Sequence, residues 1–247
     1  MNTKVAIITG ASSGMGAATA KLLSNNGIKV MMAARREERL QELCKEINNG
    51  GGEASYKVTD VTSYADMEAL ANETIKTYGQ IDIMINNAGV MPLSFFRNLK
   101  VNEWEQMIDV NIKGVLYGMA VVYKHMEERN EGHIINFGSI ASHVIFPSSS
   151  VYSATKSAVK VLTEGMRAEI TQNQKIRTTL ICPGSVATEL SNTITDTSIF
   201  PELEKLGNKE WTPLEANDIA NTILFAIQQP PNVDINEMIV RPTAQSL

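Results

Sequence analysis

Seven short apolar runs punctuate the chain, and several are hydrophobic at consecutive rather than alternate positions. They are Val5–Thr9, Lys29–Ala33, Ala54–Val58, Ile81–Asn86, His133–Phe137, Thr178–Cys182 and Glu237–Val240. A strand reads this way when both of its faces are covered, which is the situation inside a parallel sheet. Between the runs lie helical patterns: Leu40, Leu43 and Ile47 share one apolar face, and Ile219, Ile223 and Ile227 share another. Asn25-Asn26-Gly27 reads as a helix stop before the second run. Strand–helix alternation from end to end predicts an α/β fold, a doubly wound sheet of seven mostly parallel strands with helices on both faces.

At 247 residues the chain is of a length that one α/β domain accommodates, and it buries enough surface to need no staple. Asn49-Gly50-Gly51-Gly52 reads as a turn and not a linker, so residues 1–247 are taken as one domain. The regular rhythm fails only over Ser191–Trp211, a polar, weakly periodic stretch of the kind that forms lids. Cys44 and Cys182 lack metal-ligand spacing and read as reduced structural thiols. A net charge of −5, spread along the chain, lends no support to a nucleic-acid or membrane partner. With no signal peptide or spanning run, a cytoplasmic location is expected.

Directly after the first run comes Thr9-Gly10-Ala11-Ser12-Ser13-Gly14-Met15-Gly16, followed by an Ala-rich helix. Glycines where a strand turns into a helix let a pyrophosphate approach the backbone, and the free N–H groups and helix dipole favour its charge. This placement makes the sheet Rossmann-type. The spacing is GxxxGxG, not the GxGxxG fingerprint. About twenty residues further on, a site for NAD offers an acidic side chain to the ribose hydroxyls. This chain offers Arg35-Arg36, whose guanidinium groups suit a 2′-phosphate, so NADP(H) is the expected coenzyme.

Ser139 follows the fifth run, and Tyr152-Ser153-Ala154-Thr155-Lys156 opens a helix with Tyr152 and Lys156 one turn apart. A phenol is a poor proton shuttle at neutral pH, but a neighbouring ammonium stabilises its phenolate. Lowering its pKa by two to three units asks for roughly 3–4 kcal/mol, within reach of Lys156 and an oxidised nicotinamide together. Ser139 is placed to hold a substrate oxygen. Asn86-Asn87-Ala88-Gly89 closes the fourth run, and Asn111 lies in a helical stretch.

With these motifs in this order, the chain resembles the classical short-chain dehydrogenase/reductases from about Thr3 to Arg241. The set also includes Asp60-Val61, Pro183-Gly184 and Thr188. The resemblance implies that Ser139, Tyr152 and Lys156 are catalytic and that Asn111 holds a water in a proton relay through Lys156. It implies that Gly10, Ser12, Ser13, Gly14, Met15 and Gly16 cradle the coenzyme with Ala88, Gly89, Pro183 and Gly184. It further implies that Asp60 and Val61 contact adenine, Asn87 the adenosine side, Lys156 the nicotinamide ribose, and Val186 and Thr188 the carboxamide and phosphate.

The expected reaction interconverts a carbonyl compound and an alcohol, with a small ketone, aldehyde or 3-hydroxy acid as substrate. The C-terminal stretch, Asn232 to Gln245, is similar to NADP-dependent serine or 3-hydroxy acid dehydrogenases and to clavaldehyde reductases. The alternatives are a 3-oxoacyl-carrier-protein reductase, disfavoured by the three Glu residues around Lys124 and Arg129, and a non-catalytic NADP-binding sensor. His143 is read as a polar wall residue rather than a carboxylate binder, His125 and His133 as structural, and no metal is expected. The twelve Met residues read as packing. A homotetramer is expected by resemblance through helices near Asn102–Glu128 and Tyr152–Thr171. Val115, Met119, Val122, Ala158, Val159 and Leu162 are read as apolar surplus on those helices.

Overall fold

The computed structural model describes residues 3–170, 175–201 and 212–245. All seven expected strands form: β1 (Val5–Thr9), β2 (Lys29–Ala34), β3 (Ala54–Val58), β4 (Ile83–Asn86), β5 (Glu131–Phe137), β6 (Lys175–Pro183) and β7 (Glu237–Val240). They build one sheet in the order β3-β2-β1-β4-β5-β6-β7, and every neighbouring pair is parallel. Among the described residues the α-helices are α1 (Gly14–Asn25), α2 (Glu37–Asn49), α3 (Tyr64–Tyr78), α4 (Val101–Met107), α5 (Gly114–Arg129), α6 (Ser150–Glu169) and α7 (Ala216–Gln228).

The consecutive apolar positions are explained by two cores, one on each face. Ala6, Ile8, Val30 and Met32 point to one side with Leu23, Leu40 and Ile223 of α1, α2 and α7. Ile7, Met31 and Met84 point to the other with Leu70, Val122 and Val159 of α3, α5 and α6. Side chains alternate along a strand, so a strand covered on both sides must be apolar at every step.

The fourth strand begins at Ile83, two residues after the sequence pattern suggests. The Ile81 N–H donates to His125 Nε2 at 3.1 Å, and its carbonyl accepts from Arg129 Nη1 at 2.9 Å, so α5 takes both groups before the ladder starts. Burial and the neighbouring Arg129 charge hold the His125 pKa down, keeping the imidazole in the neutral form that can accept. Asp82 completes the arrangement. Its carboxylate is 6% exposed and accepts from the Val5 N–H at 2.7 Å and from Arg129 Nη2 at 2.7 Å.

The helix expected near 102–128 runs without a break from Val101 to Arg129, but it is not α-helical throughout. Residues Ile108–Lys113 make a π-helical turn between α4 and α5, with Asn111 fully buried in it. Such single turns interrupt α-helices chiefly at functional sites. Helix α5 ends at Asn130, which adopts φ 54°. Helix α6 starts at Ser150, two residues before Tyr152, and the expected end at Thr171 lies outside the described residues. Val115, Met119, Val122 and Val159 are buried within this chain's own core, so they are no surplus; the apolar residues these helices leave exposed include Leu116 and Val161.

The stretch expected as a lid is anchored in its first half by 3₁₀ turns at Glu189–Thr193 and Thr197–Ile199. Asp196 accepts from the Phe95 N–H and Asn98 Nδ2, and Ile199 is buried. Residues 202–211 lie outside the described residues. Among the described residues no helix is long and apolar enough to cross a membrane. Removing the buried acceptor that ties β1, β4 and α5 together leaves a guanidinium and an N–H uncompensated. Asp82→Ala is expected to lower the unfolding free energy by about 3–5 kcal/mol, measured by urea denaturation.

Candidate active site

Strand order reverses between β1 and β4, so the loops leaving their carboxyl ends diverge and open a crevice, the usual ligand position in such sheets. Thr9, at the end of β1, organises its floor. The Thr9 hydroxyl accepts from the N–H groups of Asn87 and Ala88, both at 3.1 Å, while Asn87 Nδ2 donates to the carbonyls of Thr9 and Gly10 at 2.9 and 3.2 Å. The glycine turn is thereby clasped to the Asn-Asn-Ala-Gly run, and the Asn87 amide is engaged with backbone.

Two glycines are required by this closeness. Gly10 has φ +65°, and a Cβ there would stand 2.8 Å from Ala88 Cα; a Cβ on Gly16 would stand 2.5 Å from the Gly10 carbonyl oxygen. Gly14 faces Thr188, whose Cγ2 lies 3.2 Å from where a Cβ would be, so the β6 exit loop closes the other side of the turn. Ser13 caps α1 without a side-chain bond to the helix. Its hydroxyl accepts instead from Arg36 Nη2 at 2.6 Å, and Ser12 accepts from Arg36 Nε and Nη2 at 3.1 and 2.9 Å. The α1 amides therefore keep their outward donors, as anion binding at a helix N-terminus requires. Met15 packs against the α1 core.

The two arginines separate. Arg36 lies over the glycine turn, whereas Arg35 is exposed and its charge falls on Asp60. Burial raises the Asp60 pKa, but hydrogen bonds from Thr62 and the Arg35 charge outweigh it and hold the carboxyl low. Val61 packs against the start of α5, where a Cβ on Gly114 would reach its Cγ2 at 2.9 Å. Pro183 ends β6, the Gly184 N–H donates to the Val240 carbonyl at 2.7 Å, and Val186 bridges to Leu214.

Helix α6 carries Tyr152 and Lys156 into the crevice, and Ser139 leaves β5 beside them. All three are buried. Ser139 hydrogen-bonds the Tyr152 phenol, and its hydroxyl accepts from the Ala141 N–H at 3.1 Å. Lys156 Nζ donates to the Phe137 carbonyl at 2.9 Å and stands 5.9 Å from the centre of the Tyr152 ring. Asn111 Oδ1 and Lys156 Nζ lie 3.4 and 3.6 Å from where a Cβ on Gly89 would be, ordinary contact distances that place Gly89 beside both side chains.

These contacts define the surroundings of Asn111 and of the Tyr152–Lys156 pair. The Asn111 side chain is committed to the chain itself: it accepts from the Val90 N–H and donates to the Val90 carbonyl, each at 2.9 Å, and donates to Thr155 Oγ1 at 3.2 Å. It fixes the loop after β4 and the turn of α6 between Tyr152 and Lys156. Desolvation is the largest influence on both Tyr152 and Lys156. Burial pushes the phenol up to about 12 against the Ser139 hydrogen bond, and burial pulls Lys156 down to about 8. Desolvation thus shifts both groups toward their neutral forms, while Lys156 still carries its proton at neutral pH.

His143, read as a wall residue, pairs with Glu237 at 2.6 Å. His133 is buried against Thr179 Oγ1 at 2.7 Å, and desolvation drives its pKa well below the ordinary value. Thr9, Thr155, Arg39 and Glu189 escape the sequence reading. Glu189 reaches Arg36 at 2.9 Å and Arg39 at 2.8 Å, and those bonds bring its pKa down to about 2. Arg39 follows Arg36 by three residues on α2 and so lies on the same face, which is a local signal. Glu189 is brought in from across the sheet and has no such signal.

The depressed Lys156 pKa makes stability depend on pH. The unfolded chain binds its proton up to about 10.5 and the folded chain only up to about 8, so folding is penalised below that window and relieved on passing upward through it. Urea unfolding of wild type and Lys156→Met from pH 7 to 10.5 is expected to show wild type gaining as much as about 3 kcal/mol relative to the variant.

Residues 4–198 match the model of the short chain dehydrogenase family. The chain is 46% identical over 245 residues to an uncharacterized oxidoreductase of Staphylococcus saprophyticus, covering 99% of this chain and 98% of that one. It superposes on the closed form of serine dehydrogenase complexed with NADP+ with a TM-score of 0.89 and 32% identity, over 98% of this chain and 96% of that one. A short-chain dehydrogenase/reductase from Burkholderia phymatum in complex with NAD gives a TM-score of 0.87 and 28% identity, over 96% and 89% of the two chains. Sheet order, glycine turn and family match agree, and the chain belongs to the classical short-chain dehydrogenase/reductases, oxidoreductases that bind NAD or NADP.

Proposed function

We propose that this chain reduces small carbonyl compounds with NADPH, and oxidises the corresponding alcohols with NADP, with Tyr152 as proton donor and acceptor. The observation that carries the reading is the convergence of Ser139 and Lys156 on Tyr152, with Lys156 also beside Gly89 of the run clasped to the glycine turn. The residues fit a phosphorylated dinucleotide. The start of α1 is open to a pyrophosphate, and Arg36 rests on Ser12 and Ser13 where a neighbouring 2′-phosphate would find a charged donor. When bound, the nicotinamide supplies or accepts the hydride at the substrate carbon.

Ser139 is placed to donate a hydrogen bond to the substrate oxygen, and Tyr152 to pass it a proton. With its pKa pushed up to about 12, Tyr152 stands protonated at neutral pH, the form reduction needs. The alkoxide formed in reduction is a stronger base than a phenolate, so the transfer runs downhill. Lys156 holds its ammonium behind the phenol, anchored to Phe137, and stabilises the phenolate left by the transfer. Asn111 keeps this turn of α6 in place through Thr155.

The recess next to Tyr152 is lined by Pro92, Ser94, Phe96, Trp104 and Met107 among others, and none of the described residues that line it is cationic. His143 already holds a carboxylate, that of Glu237. Both facts favour a small ketone or aldehyde over a free 3-hydroxy acid. A homotetramer in the cytoplasm belongs to the same reading, with exposed Leu116 and Val161 on the packing helices; sedimentation would test the assembly.

Turnover is expected with NADPH and a small carbonyl, followed by loss of reduced-nicotinamide absorbance across aldehydes, ketones, 3-oxo acids and an acyl-carrier-protein thioester. Tyr152→Phe should lose about 10²–10⁴-fold in turnover while its affinity for NADPH is unchanged. A variant as active as wild type would remove Tyr152 from the mechanism. Arg36→Ala should weaken NADPH binding and leave NADH binding as it was.

A further inference from the structure

Arg36 has two kinds of partner. Its Nε and Nη2 rest on Ser12 and Ser13, while its Nη1 donates to Glu189 Oε2 at 2.9 Å. Arg39 Nη1 donates to both oxygens of the same carboxylate at 2.8 Å. Glu189 thus reaches from the β6 exit loop across the mouth of the crevice to the guanidinium groups of α2 and its cap. It follows Thr188, which faces Gly14, and it opens the 3₁₀ turn Glu189–Thr193. Thr193 in that turn accepts from the Met91 N–H at 3.0 Å, at the wall of the substrate recess.

We propose that Glu189 is an internal competitor for the coenzyme 2′-phosphate, and that it sets how strongly the chain discriminates NADPH from NADH. The proposal rests on the reading of Arg36 as the 2′-phosphate ligand. A carboxylate and a phosphate oxygen ask for the same planar donors. Two guanidinium groups balance the roughly −2 charge of a phosphate monoester, so a carboxylate left among them adds like-charge repulsion. Because its pKa is held near 2, Glu189 stays charged at every pH at which the phosphate is a dianion. NADPH must therefore displace Glu189 from Arg36 and Arg39. NADH, which has ribose hydroxyls in that place, leaves the ion pairs closed. The discrimination is smaller than two free arginines would give.

The test is calorimetric titration of wild type, Glu189→Gln and Glu189→Ala with NADPH, NADH and the fragments 2′,5′-ADP and 5′-AMP. Glu189 is half exposed and belongs to neither core, so both variants retain the fold. Both are expected to bind NADPH and 2′,5′-ADP about three- to tenfold more tightly than wild type, the range that two exposed ion pairs allow. NADH and 5′-AMP should bind them as they bind wild type. Unchanged or weaker binding of NADPH and 2′,5′-ADP in both variants would overturn the competition, and equal tightening of all four ligands would overturn the role in discrimination. The reading it rests on fails separately. If wild type binds 2′,5′-ADP no better than 5′-AMP and Arg36→Ala changes neither, Arg36 is not the phosphate ligand, and the competition falls with it.

Discussion

The site depends on the clasp between Thr9 and Asn87 at the point where strand order reverses. A parallel sheet opens a crevice at such a reversal because consecutive crossovers leave in opposite directions. The crevice is a usable site only when the two diverging loops are held in one relation. Here a hydroxyl that accepts two N–H groups and an amide that donates to two carbonyls supply four bonds across the gap. The glycine turn is consequently a fixed surface, and Gly10 and Gly16 are glycines because the clasp leaves no space for a Cβ.

Burial governs the reacting groups in the same way. Tyr152 and Lys156 are withdrawn from water, and desolvation shifts the phenol up to about 12 and the ammonium down to about 8. Lys156 keeps company with a backbone carbonyl, and Asn111 spends its side chain on Val90 and Thr155. A buried network thus holds Ser139, Tyr152 and Lys156 in one relation.

At the rim, electrostatics operates in water. Arg36, Arg39 and Glu189 are about half exposed, where an ion pair contributes little to stability. In the proposed reading their importance is in what they compete for. An acidic residue on the exit loop of β6 and a basic pair on α2 meet only because the sheet brings those loops to one edge, so under the proposed reading coenzyme selectivity would be shared between two distant parts of the chain.

The sequence by itself determined the strand set, the two-sided core and the identity of the chemical groups, because these are properties of local pattern. Consecutive apolar runs, glycines after β1 and a tyrosine one turn ahead of a lysine are each legible within a few residues. Tertiary structure decided what depends on neighbours from elsewhere in the chain. It started β4 two residues late because His125 and Arg129 took the Ile81 backbone, and it placed a π-helical turn at Asn111. It assigned Val115 and Val159 to the chain's own core. It also sent Arg35 toward Asp60 and Arg36 toward the glycine turn, set Glu189 against Arg36, and raised the Tyr152 pKa through burial. The physical reason is common to all of these: charge, solvation and packing act through space, and residues far apart in the chain became neighbours only when the sheet closed.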